Sequence, residues 1–230
     1  MTYTYNTIVE FIRNVFDVTD KADKTEKKAI IAVSGGIDSA VCLHLLYLNL
    51  GKERMIAVLL PYGEQDMTDA RRECEALGIV PLIIDIKPAV DVLARSNDQM
   101  RLGNIMARVR MIYQYDLAKE HNALVCGTEN LSEYYLGYFT LFGDQACDFS
   151  PIAHLTKTEV RRLATELKIS NAIQTKAPSA GLWTNQTDEQ ELGFTYEEAD
   201  LHIKHQVYSS RVSDRIARTH FKREIPYKVV

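Results

Sequence analysis

A chain of 230 residues with 27 Lys+Arg against 31 Asp+Glu carries a formal net charge of −4, and 46% of its residues are hydrophobic. A chain of this length and composition can bury a full core without a disulfide or metal staple, so a single domain over residues 1–230 is the natural organisation. The slight acidic excess argues against a general nucleic-acid binder, which needs a basic surface.

Ile8, Phe11, Ile12, Val15 and Phe16 recur at helical spacing and predict an amphipathic first helix. Residues 17–28 are charged without a period and read as a linker or exposed turn. An apolar run at 29–33 ends abruptly in Ser-Gly-Gly, and residues 39–50 read as a helix stopped by Gly51. The pattern repeats: a strand at 55–60, a helix at 68–77 stopped by Gly78, and a strand at 80–86. A long helix at 99–120 precedes a fourth strand at 123–126. Strands without polar alternation, separated by helices, indicate an α/β fold: a doubly wound, mostly parallel sheet with helices on both faces.

The last part of the chain differs. Residues 127–150 have loop character, with several glycines and aromatics, and 176–193 form a polar loop around the lone Trp183. That tryptophan fits a lid anchor and a satellite core equally well. Between them, Thr156 and Glu159 have capping-box spacing at the start of a helix over 157–167. Thr195 and Glu198 repeat that spacing before a helix reaching about His205, and a basic helix at 209–223 is followed by Pro226. The C-terminal third is thus helical and loop-rich.

Cysteines 42, 74, 126 and 147 form no CxxC pair and sit in apolar segments, the usage of buried thiols in a reducing compartment. The opening MTYTYNTIVEFIRN lacks the basic onset and apolar stretch of a signal peptide. The longest apolar-rich stretch, near 40–50, contains His44 and Asn49 and is too short to cross a bilayer. A cytoplasmic protein with no membrane and no nucleic-acid partner is expected. Histidines 44, 121, 154, 202 and 205 show no metal-ligand spacing and read as solvated or capping residues.

In an open parallel sheet, ligands bind beyond the carboxyl ends of the strands. The loop after the first strand is Ser34-Gly35-Gly36-Ile37-Asp38-Ser39. Its glycines allow a sharp turn and close backbone approach, and the amides of the following helix start present a ready anion site. Ser34 and Ser39 add hydroxyls, and Asp38 can hold a cation that neutralises phosphate charge. A phosphate-binding loop follows, though not one with an internal lysine. Lys157, in the first turn of its helix, opposes the helix dipole, a placement that points to an anion nearby. Leu102, Met106, Val109, Tyr113 and Leu117 make one stripe on the long helix, widened by Ile105 and Ile112, which is broader than one sheet needs and suggests a second partner.

The Ser34–Ser39 loop resembles the pyrophosphate loop of the N-type ATP pyrophosphatases. Within that superfamily the chain resembles ammonia-dependent NAD synthetase. The resemblance is carried by Gly103-Asn104 with Ala107-Arg108 and Arg110-Met111, by Gly127-Thr128, Asn130 and Ser132-Glu133, and by Gly137-Tyr138, Thr140 and Gly143-Asp144. Pro151-Ile152, Leu155, Lys157, Pro178-Ser179-Ala180-Gly181-Leu182-Trp183 and Gln186-Thr187-Asp188-Glu189 continue it, from residue 33 to about 226.

The resemblance implies ATP-dependent amidation of deamido-NAD by ammonia through an NAD-adenylate, with release of AMP and pyrophosphate, in a homodimer using Mg²⁺. It implies Asp38 and Glu133 as metal ligands, and Asp38, Lys157 and Asp144 as catalytic residues. Ser34, Gly35, Gly36, Asp38, Ser39, Thr128, Lys157 and Ser179 would bind ATP, while Arg110, Asp148 and Lys222 would bind deamido-NAD. Departures from the family pattern are Leu141 in place of a substrate-binding Lys, Gly181 in place of an acidic residue, Phe221 in place of His, with His220 one residue earlier as the open substitute, and Met106 in place of a polar residue. Glutamine-dependent relatives carry an added amidase domain, and the synthetase blocks already fill residues 1–230, so free ammonia is the expected nitrogen donor, with a separate amidase subunit as the open alternative. Two alternatives remain: another, tRNA-modifying ATP pyrophosphatase, or a non-catalytic adenine-nucleotide sensor.

Overall fold

The computed structural model describes residues 2–183 and 186–225. Strands β1 (Lys28–Ala32), β2 (Met55–Leu59), β3 (Leu82–Ile83) and β4 (Ala123–Val125) form one parallel sheet in the order β3-β2-β1-β4. The register sets Ile30 between Ile56 and Val125. Because the chain runs outward from β1 through β2 to β3 and then returns to β1's other side, a crevice opens beyond the carboxyl ends of β1 and β4.

The central strands β1 and β2 are covered on both faces, which is why they are apolar apart from Lys28 at the start of β1. Ala29, Ile31 and Leu59 pack against helices α1 (Thr2–Asp23), α2 (Ile37–Leu50), α3 (Thr68–Ala76), α7 (Lys157–Glu166) and α8 (Asn171–Thr175). On the opposite face Ile30, Val58 and Val125 pack against α4 (Lys87–Leu93) and α5 (Gln99–Glu120). Ile8, Ile12 and Phe16 of α1 are fully buried, and each contributes roughly 1.5–3 kcal/mol. A third cluster, Leu136, Phe194, Tyr196, Ala199 and Val212, joins α6 (Leu131–Leu136), α9 (Asp188–Leu192), α10 (Tyr196–His205) and α11 (Ser210–Thr219) into a helical layer beside the crevice.

Several expectations are corrected. The linker at 17–28 is mostly helix: α1 continues to Asp23, and its charged end is pinned, since Asp20 accepts from Lys27 N at 2.7 Å and from Arg54 at 2.7 Å. Loss of apolar period does not stop a helix that is already nucleated. The strand at 80–86 narrows to Leu82–Ile83, an exposed edge with one neighbour, although Ile84 and Ile86 still donate to Leu59 O and Pro61 O. The loop at 127–150 contains α6, and the polar loop at 176–193 contains α9. The basic helix at 209–223 ends as α11 at Thr219 and finishes in a 3-10 turn, His220–Arg223. Pro226 lies outside the described residues.

Candidate active site

The loop between β1 and α2 is shaped by its own hydroxyls. Ser34 N donates to Ser39 Oγ at 3.2 Å, Ser39 Oγ donates to Gly36 O at 3.0 Å, and Gly36 N donates to Ser34 Oγ at 3.2 Å. Gly35 has φ +81°, and a Cβ there would sit 3.3 Å from Ala70 N, so the backbone must be both left-handed and bare. Gly36 caps α2 with no side-chain bond, which leaves the first-turn amides facing the crevice as an anion site.

Three charged side chains from three elements meet beside this loop. Lys157 Nζ lies 2.6 Å from Asp38 Oδ2 and 2.9 Å from Glu133 Oε1, and the lysine side chain is only 3% exposed. Burial pulls a lysine toward neutrality, but the two carboxylates outweigh it and hold Lys157 charged. Burial also pushes the Glu133 carboxyl up to about 7 against the pull of Lys157. The sequence placed Lys157 against an anion, and its partners in this structure are carboxylates.

The triad is held from behind. Asn130 accepts from Glu133 N at 3.0 Å while Glu133 Oε2 accepts from Asn130 N at 3.3 Å, a capping box at the start of α6. The same Asn130 donates from Nδ2 to Asp38 Oδ1 at 2.9 Å. Lys157 N donates to Ser132 Oγ at 2.9 Å, Ser132 donates in turn to buried Asp200, and Asp200 accepts from Thr158 N at 2.7 Å. Sequence reasoning did not single out Asn130, Ser132 or Asp200 as positioning residues. The Asn-x-x-Glu spacing at 130–133 was the available signal for the first. The box at Thr156 forms as expected, whereas Thr195 only caps, because Glu198 turns to Ser209 and Arg211 instead.

The crevice is a cavity of about 330 Å³, and its lining includes Ser34, Gly35, Gly36, Asp38, Ser39, Thr128, Glu133, Asp144, Lys157, Ser179 and Arg110. Eleven of the thirteen expected site residues therefore converge. Arg110 donates to Leu60 O at 3.0 Å and to Gln65 Oε1 at 2.9 Å, and burial draws its guanidinium down to about 10, with Asp144 opposing. Asp144 is open to the cavity but surrounded by protein; burial raises its carboxyl although Thr140 N donates to it at 2.6 Å. Gln65 also donates to Gly181 O at 3.2 Å, and Asp188 accepts from Ala180 N at 3.1 Å and from Tyr196 at 3.0 Å. These contacts fasten the 178–182 segment over the cavity. Leu182 lines it, while Trp183 beside it is half-buried.

Asp148 and Lys222 are not in that lining. Asp148 accepts from Val125 N at 2.8 Å and so closes the open edge of β4. Lys222 Nζ donates to Gly137 O at 2.7 Å and Phe139 O at 2.6 Å. Phe221 is exposed, and His220 pairs with Glu224 at 3.3 Å, so His220 does not reach the cavity. Leu141 O accepts from Arg108 at 3.2 Å, which leaves Arg108 on the outer face of α5 while Arg110 points inward. Met106 is buried in the core. His44 pairs with buried Glu73 at 2.9 Å, a satisfied core histidine. Sequence reasoning also missed Glu129, a cavity-lining acid whose Oε1 is buried without a partner among the described residues.

A glycine loop at a helix start, a charged triad and a guanidinium around one crevice of a parallel sheet define an α/β protein with a cleft suited to anionic ligands. Comparison narrows the class: the family model described as NAD synthase matches residues 4–230, and the chain belongs to that family of ATP-using enzymes. It is 39% identical over 232 residues to the NH(3)-dependent NAD(+) synthetase of Fusobacterium nucleatum, covering 98% of this chain and 88% of that one. The Pyrococcus furiosus protein of the same name is 42% identical over 198 residues, covering 84% and 74%. Among solved structures, NMN synthetase from Francisella tularensis superposes with a TM-score of 0.87 at 33% identity, covering 99% of this chain and 98% of that one. NH3-dependent NAD synthetase from Campylobacter jejuni gives 0.76 at 30% identity, covering 98% and 99%.

Proposed function

We propose that the protein is a ligase that uses ATP to turn the carboxylate of deamido-NAD into the carboxamide of NAD, with free ammonia as nitrogen donor. The carboxylate attacks the α-phosphate to give an NAD-adenylate and pyrophosphate, and ammonia then displaces AMP. The observation that carries this reading is the triad of Asp38, Glu133 and Lys157 at the mouth of the phosphate loop, in a chain of the NAD synthase family.

Asp38 and Glu133 fit a Mg²⁺ ion because they already converge on one cation, Lys157 Nζ. No group of three or more His, Cys, Asp or Glu among the described residues could hold a metal, so nucleotide phosphates would complete the shell. Bound there, Mg²⁺ would neutralise charge on the phosphates. Lys157 would then be free to turn its ammonium from the carboxylates to a phosphate oxygen. The first-turn amides of α2 and the hydroxyls of Ser34 and Ser39 hold the pyrophosphate side; Thr128 and Ser179 hold the nucleoside side. Arg110 orients the second anionic substrate, and the 178–182 segment excludes water from the mixed anhydride.

The test is the purified chain with ATP, Mg²⁺ and ammonium. Deamido-NAD should yield AMP, pyrophosphate and carboxamide in equal amounts, and glutamine should not replace ammonium. No AMP with all substrates present would overturn the reading. The Francisella superposition favours a second substrate, nicotinate mononucleotide, whose carboxylate is chemically the same. Running both acids side by side separates the two by their kcat/KM.

Further parts of the proposal rest on separate observations. Ile112 on α5 is 56% exposed, which supports a homodimer through that helix; Ile112→Glu should shift the sedimentation coefficient to that of a monomer, and an unchanged value would exclude this face. One domain over 1–230 should unfold in one cooperative transition. No helix among the described residues is long and apolar enough to cross a membrane, and all four thiols are unpaired; this supports a cytoplasmic location, which fractionation checks.

A further inference from the structure

Amide formation from an adenylate needs more than a nucleophile. When the ammonia lone pair forms the C–N bond, the carbonyl π pair moves to oxygen and nitrogen becomes positively charged. A proton must leave nitrogen before the oxygen pair re-forms the carbonyl and the C–O bond to AMP breaks, its pair staying on the phosphate. Otherwise the weaker bond to the charged nitrogen breaks first and ammonia is lost again. A base beside the carbonyl carbon is therefore required.

The cavity is lined by six carboxylates, and five of them already accept hydrogen bonds. Asp38 has Lys157 and Asn130, Glu133 has Lys157 and its own capping box, and Asp144 has Thr140 N. Asp66 has Thr68, and Asp188 has Ala180 N with the Tyr196 hydroxyl. Glu129 is the exception: its Oε1 is buried with no hydrogen-bond partner among the described residues. A buried carboxylate oxygen left unmatched costs about 1–3 kcal/mol or more, and a part in the chemistry of the site is one reason to keep it. Glu129 directly follows Thr128, on the cavity wall that also holds Glu133 and Asp144.

We propose that Glu129 is the base that takes the proton from the attacking nitrogen, a catalytic residue for the amidation half of the reaction. The inference rests on the ligase reading above. The charged groups facing it are Glu133 from α6, Asp144 from the 140–144 turn and Lys222 from the C-terminal 3-10 turn. Lys222 opposes the two carboxylates, but its ammonium donates to the carbonyls of Gly137 and Phe139 and makes no hydrogen bond to Glu129 among the described residues. Burial, then Glu133 and Asp144, push the Glu129 carboxyl up to about 8 against Lys222, which brings it near working pH and makes it a stronger base than an ordinary carboxylate.

The two half-reactions separate this role from a structural one. In Glu129→Gln, adenylation, read as the pre-steady-state burst of pyrophosphate, should match wild type. Amide formation from ammonium should fall by about 100-fold or more, with adenylate accumulating. Hydroxylamine is far less basic than ammonia, so its tetrahedral adduct loses its proton to water unaided, and hydroxamate formation should be largely spared. Glu129→Asp, which keeps a carboxylate, should recover part of the ammonium rate. Equal loss of adenylation and amidation, equal loss with ammonium and hydroxylamine, or a wild-type ammonium rate in Glu129→Gln would each overturn the proposal. A wild-type protein that forms no adenylate would instead overturn the ligase reading, and this inference with it.

Discussion

Lys157 neutralises two carboxylates that would otherwise face each other in a buried site. Lys157→Met should therefore lower stability by about 3–5 kcal/mol as well as abolish AMP formation. The deficit should grow with pH. Without the ammonium the Glu133 carboxyl rises further, so the folded state holds a proton that the unfolded chain has released, and stability falls as pH climbs. Urea midpoints at pH 5 and pH 8 check the sign. Glu129 carries the same sign in the native protein. Its folded pKa of about 8 lies above its ordinary value, so its contribution becomes unfavourable as pH rises from the unfolded carboxyl range through about 8. Glu129→Gln should match wild type near pH 5 and exceed it at pH 9 by roughly 2–4 kcal/mol. A variant both sturdier and slower is what a carboxylate retained for chemistry predicts.

At the scale of elements, the site depends on contacts that hold helix ends in place. Asp200 of α10 holds the start of α7 through Ser132 and Thr158 N, so Asp200→Ala leaves a buried hydroxyl and an amide without acceptors. A loss of about 2–4 kcal/mol is expected by urea unfolding. Gly137 ends α6 at φ +59°, and a Cβ there would fall 2.4 Å from Thr219 Cβ in α11. Gly137→Ala should separate those helices and cost a further few kcal/mol, about 2 or more. The 178–183 segment supplies its own reporter, because Trp183 is the chain's lone tryptophan. ATP should change its emission in a saturable way, and Asp188→Asn, which weakens the fastening to Tyr196 and Ala180 N, should raise the ATP concentration needed.

The same scale shows why some elements were legible and others were not. Helix 99–120 is legible to the residue because it is long and carries an apolar stripe; the structure adds a cap at Asp98. The six residues of α6 are too few to show a period, and their glycine and aromatic neighbours masked the cap at Asn130. At the site, the residues carried by contiguous motifs converged on the cavity. Asp148 and Lys222 did not, since each is engaged by backbone groups that only the fold brings near. Glu129 was invisible for a different reason: its distinguishing property is an oxygen without a partner, which no spacing rule encodes.

Taken whole, the molecule places its chemistry at one end of one sheet. Gly35→Ala illustrates how little freedom that end allows: it sets a side chain on a left-handed backbone against α3, and should lower ATP affinity and cost about 1–3 kcal/mol. Isothermal titration with ATP and urea unfolding measure the two effects.

The sheet order also sets a timetable. β1 and β4 are neighbours in space, but Lys28 pairs with Ala123 across most of a hundred residues of intervening chain. The phosphate loop follows β1 and rests on α3, whereas Asn130 and Glu133 lie beyond β4 and Lys157 opens α7 further along the chain. Long-range parallel pairing of this kind is slow. On dilution from urea, helical circular dichroism should therefore return first and AMP-forming activity last. Between the two, the chain should pass through a stage in which the cradle for the phosphates exists and the charges that act on them have not yet come together.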